Sequence, residues 1–86
     1  MKYTVVWDSS AIDELTTMWA EAPSFVRGQI TRAVDDIEAA LQRRPETVGE
    51  SRQDNLRLVI ALPIAIVYEF FPDDRRVRVL AIQFVE

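Results

Sequence analysis

Residues 56–70 read LRLVIALPIAIVYEF, and this stretch decides the fold class of the chain. Its apolar residues follow the two-residue period of a β-strand and not the 3.6-residue period of a helix. Pro63 interrupts the run, because a proline cannot donate to the hydrogen-bond ladder inside a sheet. After the quoted stretch, residues 71–74 read FPDD, which are residues typical of a turn. The predicted elements of this half are a strand over 56–60, a turn or an irregular edge at 61–63, a strand over 64–70, a turn at 71–74 and a strand over 77–85.

The residues before this stretch have mostly helical spacing. Residues 3–7 alternate like a short strand, and residues 8–10 supply helix-capping side chains, with Ser10 and Asp13 at the spacing of a capping box. Apolar residues then recur every three or four positions on both sides of Pro23, which predicts two helices joined as an antiparallel hairpin. The first apolar stripe is Ile12, Leu15, Trp19 and Ala22, and the second is Val26, Ile30, Ala33, Val34, Ile37 and Leu41, ahead of a helix end at Pro45.

The resulting order of elements is β-α-α-β-β-β over a single domain of residues 1–86. This order predicts an α+β fold in which the helical hairpin packs on one face of a mainly antiparallel four-stranded sheet. The hairpin cannot cover both faces of that sheet, so an apolar second face has to be explained.

Both faces of the sheet carry apolar side chains. Either strand curvature and the loop around Gly49 bury part of the second face, or that face is an exposed groove for a partner segment. We assign Ile64, Ile66, Tyr68 and Phe70 to one side of the central strand and Ala65 and Val67 to the other; in the last strand, Val77, Val79 and Ala81 oppose Leu80, Ile82 and Phe84.

The composition excludes several kinds of chemistry. The 86 residues are 49% hydrophobic, carry a net charge of −4, and include no cysteine and no histidine. This rules out disulfides, thiolate nucleophiles, a Ser-His-Asp triad and histidine metal sites, and we expect neither a metal nor another cofactor. The pI of about 4.7 argues against non-specific binding to nucleic acid. We found no signal peptide and no apolar run long enough for a membrane helix, so we expect a soluble cytoplasmic protein with no membrane partner.

Arginine is the basic residue that stands out, since it makes up nine of the ten basic residues. Arg57 and Arg78 lie inside predicted strands and are placed to share one sheet face, where arginines bind phosphate groups. The alternative is a solvated sheet surface whose charges protect the edge strands from aggregation. Tyr68 is either an acid or stacking group or a core residue whose hydroxyl reaches the backbone. Trp7 and Trp19 are interpreted as packing residues.

Several segments carry a resemblance to a known family across nearly the whole chain. They are Tyr3-Thr4-Val5-Val6-Trp7-Asp8 with Ala11 and Leu15; Ile37 and Leu41 followed by Pro45 and Gly49; Leu56-Arg57; Ile66-Val67-Tyr68-Glu69-Phe70; Asp73-Asp74; and Arg76-Val77-Arg78-Val79-Leu80-Ala81-Ile82. In this order and spacing they resemble the RelE/ParE family of toxins from bacterial type II toxin–antitoxin systems. The fold of that family agrees with the one predicted here.

The resemblance implies a toxin that a cognate antitoxin neutralises by wrapping a segment across its surface, where it would cover the second apolar face. The antitoxin-binding residues expected on this basis are Leu80, Ile82, Phe84 and Tyr68. In the RelE branch the toxin acts on the ribosome and cleaves mRNA with basic residues and a tyrosine. In the ParE branch it poisons DNA gyrase without being a hydrolase.

Two departures from the RelE pattern speak against RNA cleavage. Ala65 stands where those toxins usually carry an arginine, three residues before the tyrosine of the central strand. The residues 83–86, Gln-Phe-Val-Glu, lack the basic or tyrosine-bearing tail. The candidate catalytic residues that remain are Arg57, Arg52 and Arg78.

Two alternatives to an active toxin stay open at the sequence level. One is a family member without catalysis that serves as an antitoxin-binding assembly module. The other is an unrelated α+β interaction domain that forms a homodimer through its apolar second face.

Overall fold

The computed structural model of the protein describes residues 2–85. Within that range, neither long helix has the length and apolar character that a membrane crossing requires. The elements are β1 (Thr4–Trp7), α1 (Ser9–Glu21), α2 (Ser24–Arg43), α3 (Pro45–Val48), β2 (Glu50–Gln53), β3 (Leu56–Ala61), β4 (Ile64–Phe71) and β5 (Arg76–Phe84).

The sheet has the strand order β1-β5-β4-β3-β2. Strand β1 runs parallel to β5, and the other neighbours are antiparallel. The helical hairpin packs on one face, which confirms the predicted α+β class. The predicted count of four strands is wrong, because β2 pairs with β3 as a fifth strand. Its residues, Glu-Ser-Arg-Gln, are all exposed, so no apolar alternation marks it in the sequence.

The core lies between the hairpin and the inward face of the sheet. The second helix packs as predicted, and the assignment of β4 to an inward and an outward side is confirmed by the burial of alternate residues. The buried hydrophobic residues are Ala11, Ile30, Ala33, Ile37, Leu41, Val59, Ile64, Ile66, Tyr68, Val77, Val79 and Ile82.

Helix α1 differs from its predicted stripe. Ala11 is fully buried and Met18 packs against the core, whereas Ile12 and Trp19 remain 48% and 43% exposed. Leu15 and Ala22 pack against the core as predicted, but Ala11 and Met18 take the places expected for Ile12 and Trp19, so the interpretation of Trp19 as a packing residue of this stripe is wrong. The prediction of a capping box formed by Ser10 and Asp13 is wrong as well. Asp8 is the N-cap residue but makes no side-chain cap hydrogen bond, because its carboxylate bonds to Arg78 on the sheet instead.

A β-bulge in β5 reverses the faces predicted for the end of that strand. Tyr68 pairs with Val79, but Val67 pairs with Ala81, so Leu80 is an extra residue opposite the β4 ladder. Beyond the bulge Ile82 pairs with the inward-facing Ile66 and is buried. The prediction that Ile82 and Phe84 lie on the uncovered face is consequently wrong. One inserted residue is enough, because the side-chain period of a strand is two.

Candidate functional site

The sheet face opposite the hairpin is apolar in its centre. Cross-strand partners point to the same side of a sheet, and the outward series runs from Leu58 through Val67 to Ala81. Beside it, Ile60 pairs with Ala65 and remains 59% exposed. We call this surface the outer face. None of the described helices packs on it, so its apolar centre is open to contact.

A second apolar surface is a groove on the hairpin side of the molecule, between α1, the start of α2 and the end of β5. Its volume is about 690 Å³, with Met18, Ala22 and Val26 inside and Phe84, 40% exposed, at the β5 end. We call it the hairpin groove. Its remaining lining residues are Asp13, Glu14, Thr17, Glu21 and Pro23.

The rim of the hairpin groove is acidic, because Asp13, Glu14 and Glu21 all line it. Glu14 also connects α1 to β5 beside the groove, since its Oε1 accepts a hydrogen bond of 3.1 Å from the backbone N–H of Ile82. An apolar floor with a carboxylate rim matches a segment that presents apolar side chains flanked by lysine or arginine. Sequence reasoning missed this groove. Residues 13, 14, 17 and 21 recur at helical spacing, but only the sheet brings Phe84 against them to form a groove.

The candidate catalytic arginines Arg57 and Arg78 do not meet. Arg57 pairs with the inward-facing Tyr68, whereas Arg78 pairs with Glu69 on the outer face. The prediction that Arg57 and Arg78 share one sheet face is therefore wrong. Arg52 lies on the edge strand β2, where its guanidinium is 3.7 Å from the carboxylate of Glu50.

The charge of Arg78 is compensated by two carboxylates. Its Nε donates a hydrogen bond of 2.6 Å to Asp8 Oδ1, and its Nη1 is 3.7 Å from Glu69 Oε1. The bond to Asp8 raises the pKa of the Arg78 guanidinium above its ordinary value. A phosphate group at this position would have to compete with both acids.

Tyr68 and Arg57 belong to a buried hydrogen-bond network that fixes α3 and β2 to the sheet. The Tyr68 hydroxyl donates to the carbonyl of Pro45 over 2.7 Å and accepts from the N–H of Gly49 over 3.1 Å. Arg57 Nη2 donates to the carbonyl of Gly49. Its Nε is buried with no hydrogen-bond partner among the described residues. Burial raises the pKa of Tyr68, although Gly49 and Arg57 act in the opposite direction. Tyr68 therefore has a structural role, in which its hydroxyl links β4 to Pro45 and Gly49.

Gly49 is required by this network. A Cβ atom there would lie 2.6 Å from the Leu58 carbonyl oxygen and 3.0 Å from the Tyr68 hydroxyl. The Pro45 and Gly49 spacing, noted in the sequence only as part of a resemblance, thus has a physical cause in the close approach of the α3–β2 segment to β3.

The residues predicted to bind an antitoxin divide into two groups. Tyr68 and Ile82 are buried, so a partner cannot reach them on the folded chain. Leu80 and Phe84 keep accessible surface, Leu80 at the bulge and Phe84 at the hairpin groove.

Several solved structures with this architecture come from toxin–antitoxin systems. The RelBE2 toxin–antitoxin complex from Mycobacterium tuberculosis matches at a TM-score of 0.77 and 17% identity, over 98% of this chain and 99% of that chain. The chromosomal ParDE system from Pseudomonas aeruginosa matches at 0.76 and 15%, over 98% and 97%. This chain has the RelE/ParE fold. The archaeal RelE–RelB complex from Pyrococcus horikoshii OT3 shares it at 0.65 and 14%, over 98% and 96%.

At these identities the comparison establishes the RelE/ParE fold from end to end of the chain. No family model matches the sequence, and no curated protein matches it either.

Proposed function

We propose that this chain is the toxin component of a type II toxin–antitoxin module and belongs to the RelE/ParE family. The observation that carries the proposal is the structural match over 98% of the chain to proteins of toxin–antitoxin systems, two of which are described as complexes with the antitoxin. The match extends over nearly the full length of those chains too, so it concerns the whole fold and not a shared fragment.

The antitoxin segment is proposed to dock at the hairpin groove and to continue past Leu80 onto the outer face. Both surfaces expose apolar side chains that a soluble chain gains from covering. The acidic rim sets the chemistry of the partner, which should present apolar residues at helical or strand spacing with lysine or arginine beside them.

A binding mode of toxicity is favoured over RNA cleavage. The arginines lie on both sides of the sheet, Arg78 is paired with two acids, and the Tyr68 hydroxyl is engaged with Pro45. A nuclease that acts on the ribosome needs cationic groups converging on one phosphate. We therefore propose that growth is inhibited by binding a protein target, for which the resemblance to the ParE branch implies DNA gyrase.

The toxin role is tested by inducing the chain alone and together with the product of the adjacent small open reading frame. We expect growth arrest that co-expression relieves. Normal growth and translation with a soluble, folded chain would refute a toxin role.

The mechanism is tested by two assays on the purified chain. With translating ribosomes we expect no new mRNA ends, and with DNA gyrase we expect loss of supercoiling activity. New mRNA ends that disappear in Arg57→Ala would instead establish the nuclease, with Arg57 as the catalytic arginine. Inactivity in both assays, combined with tight antitoxin binding, would favour the assembly module.

The docking surface is tested with Phe84→Asp against a matched control, Phe25→Asp. Phe25 is 72% exposed but lies outside the hairpin groove. We expect Phe84→Asp to raise the Kd for the antitoxin by on the order of tenfold or more, as for a central interface residue, and Phe25→Asp to leave it unchanged. Equal affinity for both variants would exclude this groove.

A further inference from the structure

Trp19 is an exposed tryptophan that the fold holds rigid. Its Nε1 donates to Thr31 Oγ1 over 3.2 Å, and the Arg27 guanidinium carbon lies 4.6 Å from the centre of its ring. Arg27 is itself fixed by hydrogen bonds of 2.9 Å to the carbonyls of Trp19 and Ala20. A side chain ordered in advance loses little conformational entropy on binding, and tryptophan and arginine are the residues enriched at the centres of interfaces. Trp19 nevertheless remains 43% exposed.

The surface on either side of Trp19 is concave. On one side a trough of about 470 Å³ runs between the two long helices and is lined mainly by apolar groups, including Leu15, Ala20 and Val34. On the other side lies a hollow of about 610 Å³ at Gly28, where an added Cβ atom would meet nothing within 4 Å. We call the two concavities with Trp19 between them the tryptophan patch. It lies on the solvent side of the hairpin and shares no residue with the hairpin groove.

The charges around the tryptophan patch are balanced. The hollow is lined by two arginines, Arg27 and Arg32, and two aspartates, Asp35 and Asp36. None of these four is in an ion pair within residues 2–85. The chain as a whole carries a net charge of −4, whereas the two arginines and two aspartates of this patch cancel. The patch is therefore a neutral area, with unpaired positive and negative side chains, on an acidic protein.

We propose that the tryptophan patch binds the same patch of a second copy of this chain around a two-fold axis. In a two-fold interface residue i of one copy contacts residue j of the other, and j contacts i in return. A surface complements itself in this way when its arginines lie on one side of the axis and its aspartates on the other, and the tryptophan patch carries two of each. A strongly basic or strongly acidic partner would leave two like charges unmatched. In the dimer the two Trp19 side chains fill the opposing concavities, and Arg32 of one copy faces Asp35 and Asp36 of the other.

The first experiment measures the mass of the chain by sedimentation velocity from low to high micromolar concentration. We expect a reversible dimer. Trp19→Ala should raise its dissociation constant by on the order of tenfold or more, and Phe25→Ala should not change it. Ala20→Glu serves as a second variant, because the residue is exposed and glutamate is compatible with a helix. A monomer at every concentration would overturn the proposal, as would a dimer that survives both Trp19→Ala and Ala20→Glu.

The second experiment tests the two-fold symmetry by charge exchange. One chain carries Arg32→Asp and the other carries Asp35→Arg with Asp36→Arg. Each alone places like charges opposite each other and should be monomeric, whereas the mixture should form a heterodimer. Homodimerisation of either variant, or a mixture that stays monomeric, would contradict the interface.

The outcome is separable from the toxin proposal. Trp19→Ala leaves the hairpin groove intact, so antitoxin binding should be unchanged when the dimer is lost. A variant that lost both would overturn the assignment of the dimer to a separate surface.

Discussion

Tyr68→Phe is the sharpest test of how the fold is held together, because it removes one oxygen atom from a buried network. The change deletes the 2.7 Å hydrogen bond to the Pro45 carbonyl and the 3.1 Å hydrogen bond from the Gly49 N–H. A net hydrogen bond contributes about 0.5–1.5 kcal/mol, and a buried polar group left without a partner costs about 1–3 kcal/mol. We therefore expect a loss of about 2–4 kcal/mol in the free energy of unfolding.

That loss is large for a chain of this size. Domains are stabilised by about 0.05–0.15 kcal/mol per residue, which for this length is roughly 4–13 kcal/mol in total. Urea titration followed by circular dichroism should show a lower midpoint at an unchanged slope. The melting temperature should fall by roughly 8–32 °C, since about 4–8 °C accompanies each kcal/mol in a small domain.

Tyr3→Phe is the matched control, because it removes the same hydroxyl from a residue that packs only at the edge of the core. We expect a change below about 0.5 kcal/mol, as for ordinary surface substitutions. If Tyr68→Phe is as stable as Tyr3→Phe, the network does not fix α3 and β2 to the sheet.

Three further predictions concern the same regions of the protein. The wild-type free energy of unfolding should fall as the pH rises through and above 10, whereas that of Tyr68→Phe should fall less. Burial raises the pKa of the Tyr68 hydroxyl in the folded chain above 10.0, so this tyrosine ionises first in the unfolded chain and favours unfolding. Equal loss of stability in the two proteins over this pH range would contradict the prediction. Gly49→Ala should destabilise the chain by about 1–3 kcal/mol, because the added methyl group overlaps the Leu58 carbonyl. Gly28→Ala has open space around it and should be neutral or stabilising by up to about 1 kcal/mol. Thermal melts of the two variants test this difference. Arg78→Ala should leave the melting temperature nearly unchanged, because its guanidinium is solvent-exposed, and a large drop would show that the Asp8 pair has a structural role.

The candidate site was only partly predictable. Periodicity predicted that Leu80 and Phe84 lie on one uncovered sheet face; both keep accessible surface, but Phe84 lies on the hairpin side of the sheet and not on the outer face. It also placed Ile82 there, and that assignment is wrong because the bulge lies between Val79 and Ala81, where nothing in the sequence marks it. The acidic rim of the hairpin groove was overlooked because its residues are ordinary solvent-facing acids until Phe84 is brought against them by the sheet.

By itself the sequence determined the α+β class, the helical hairpin around Pro23, the turn at Pro63 and the inward side of β4. These depend on local spacing and backbone chemistry, which a single segment displays without its partners. Only the tertiary structure decided the fifth strand, the burial of Tyr68 and Ile82, and the placement of Arg57 and Arg78 on opposite faces. Those features depend on pairing register between distant strands, and a shift of one residue moves a side chain from the core to the surface.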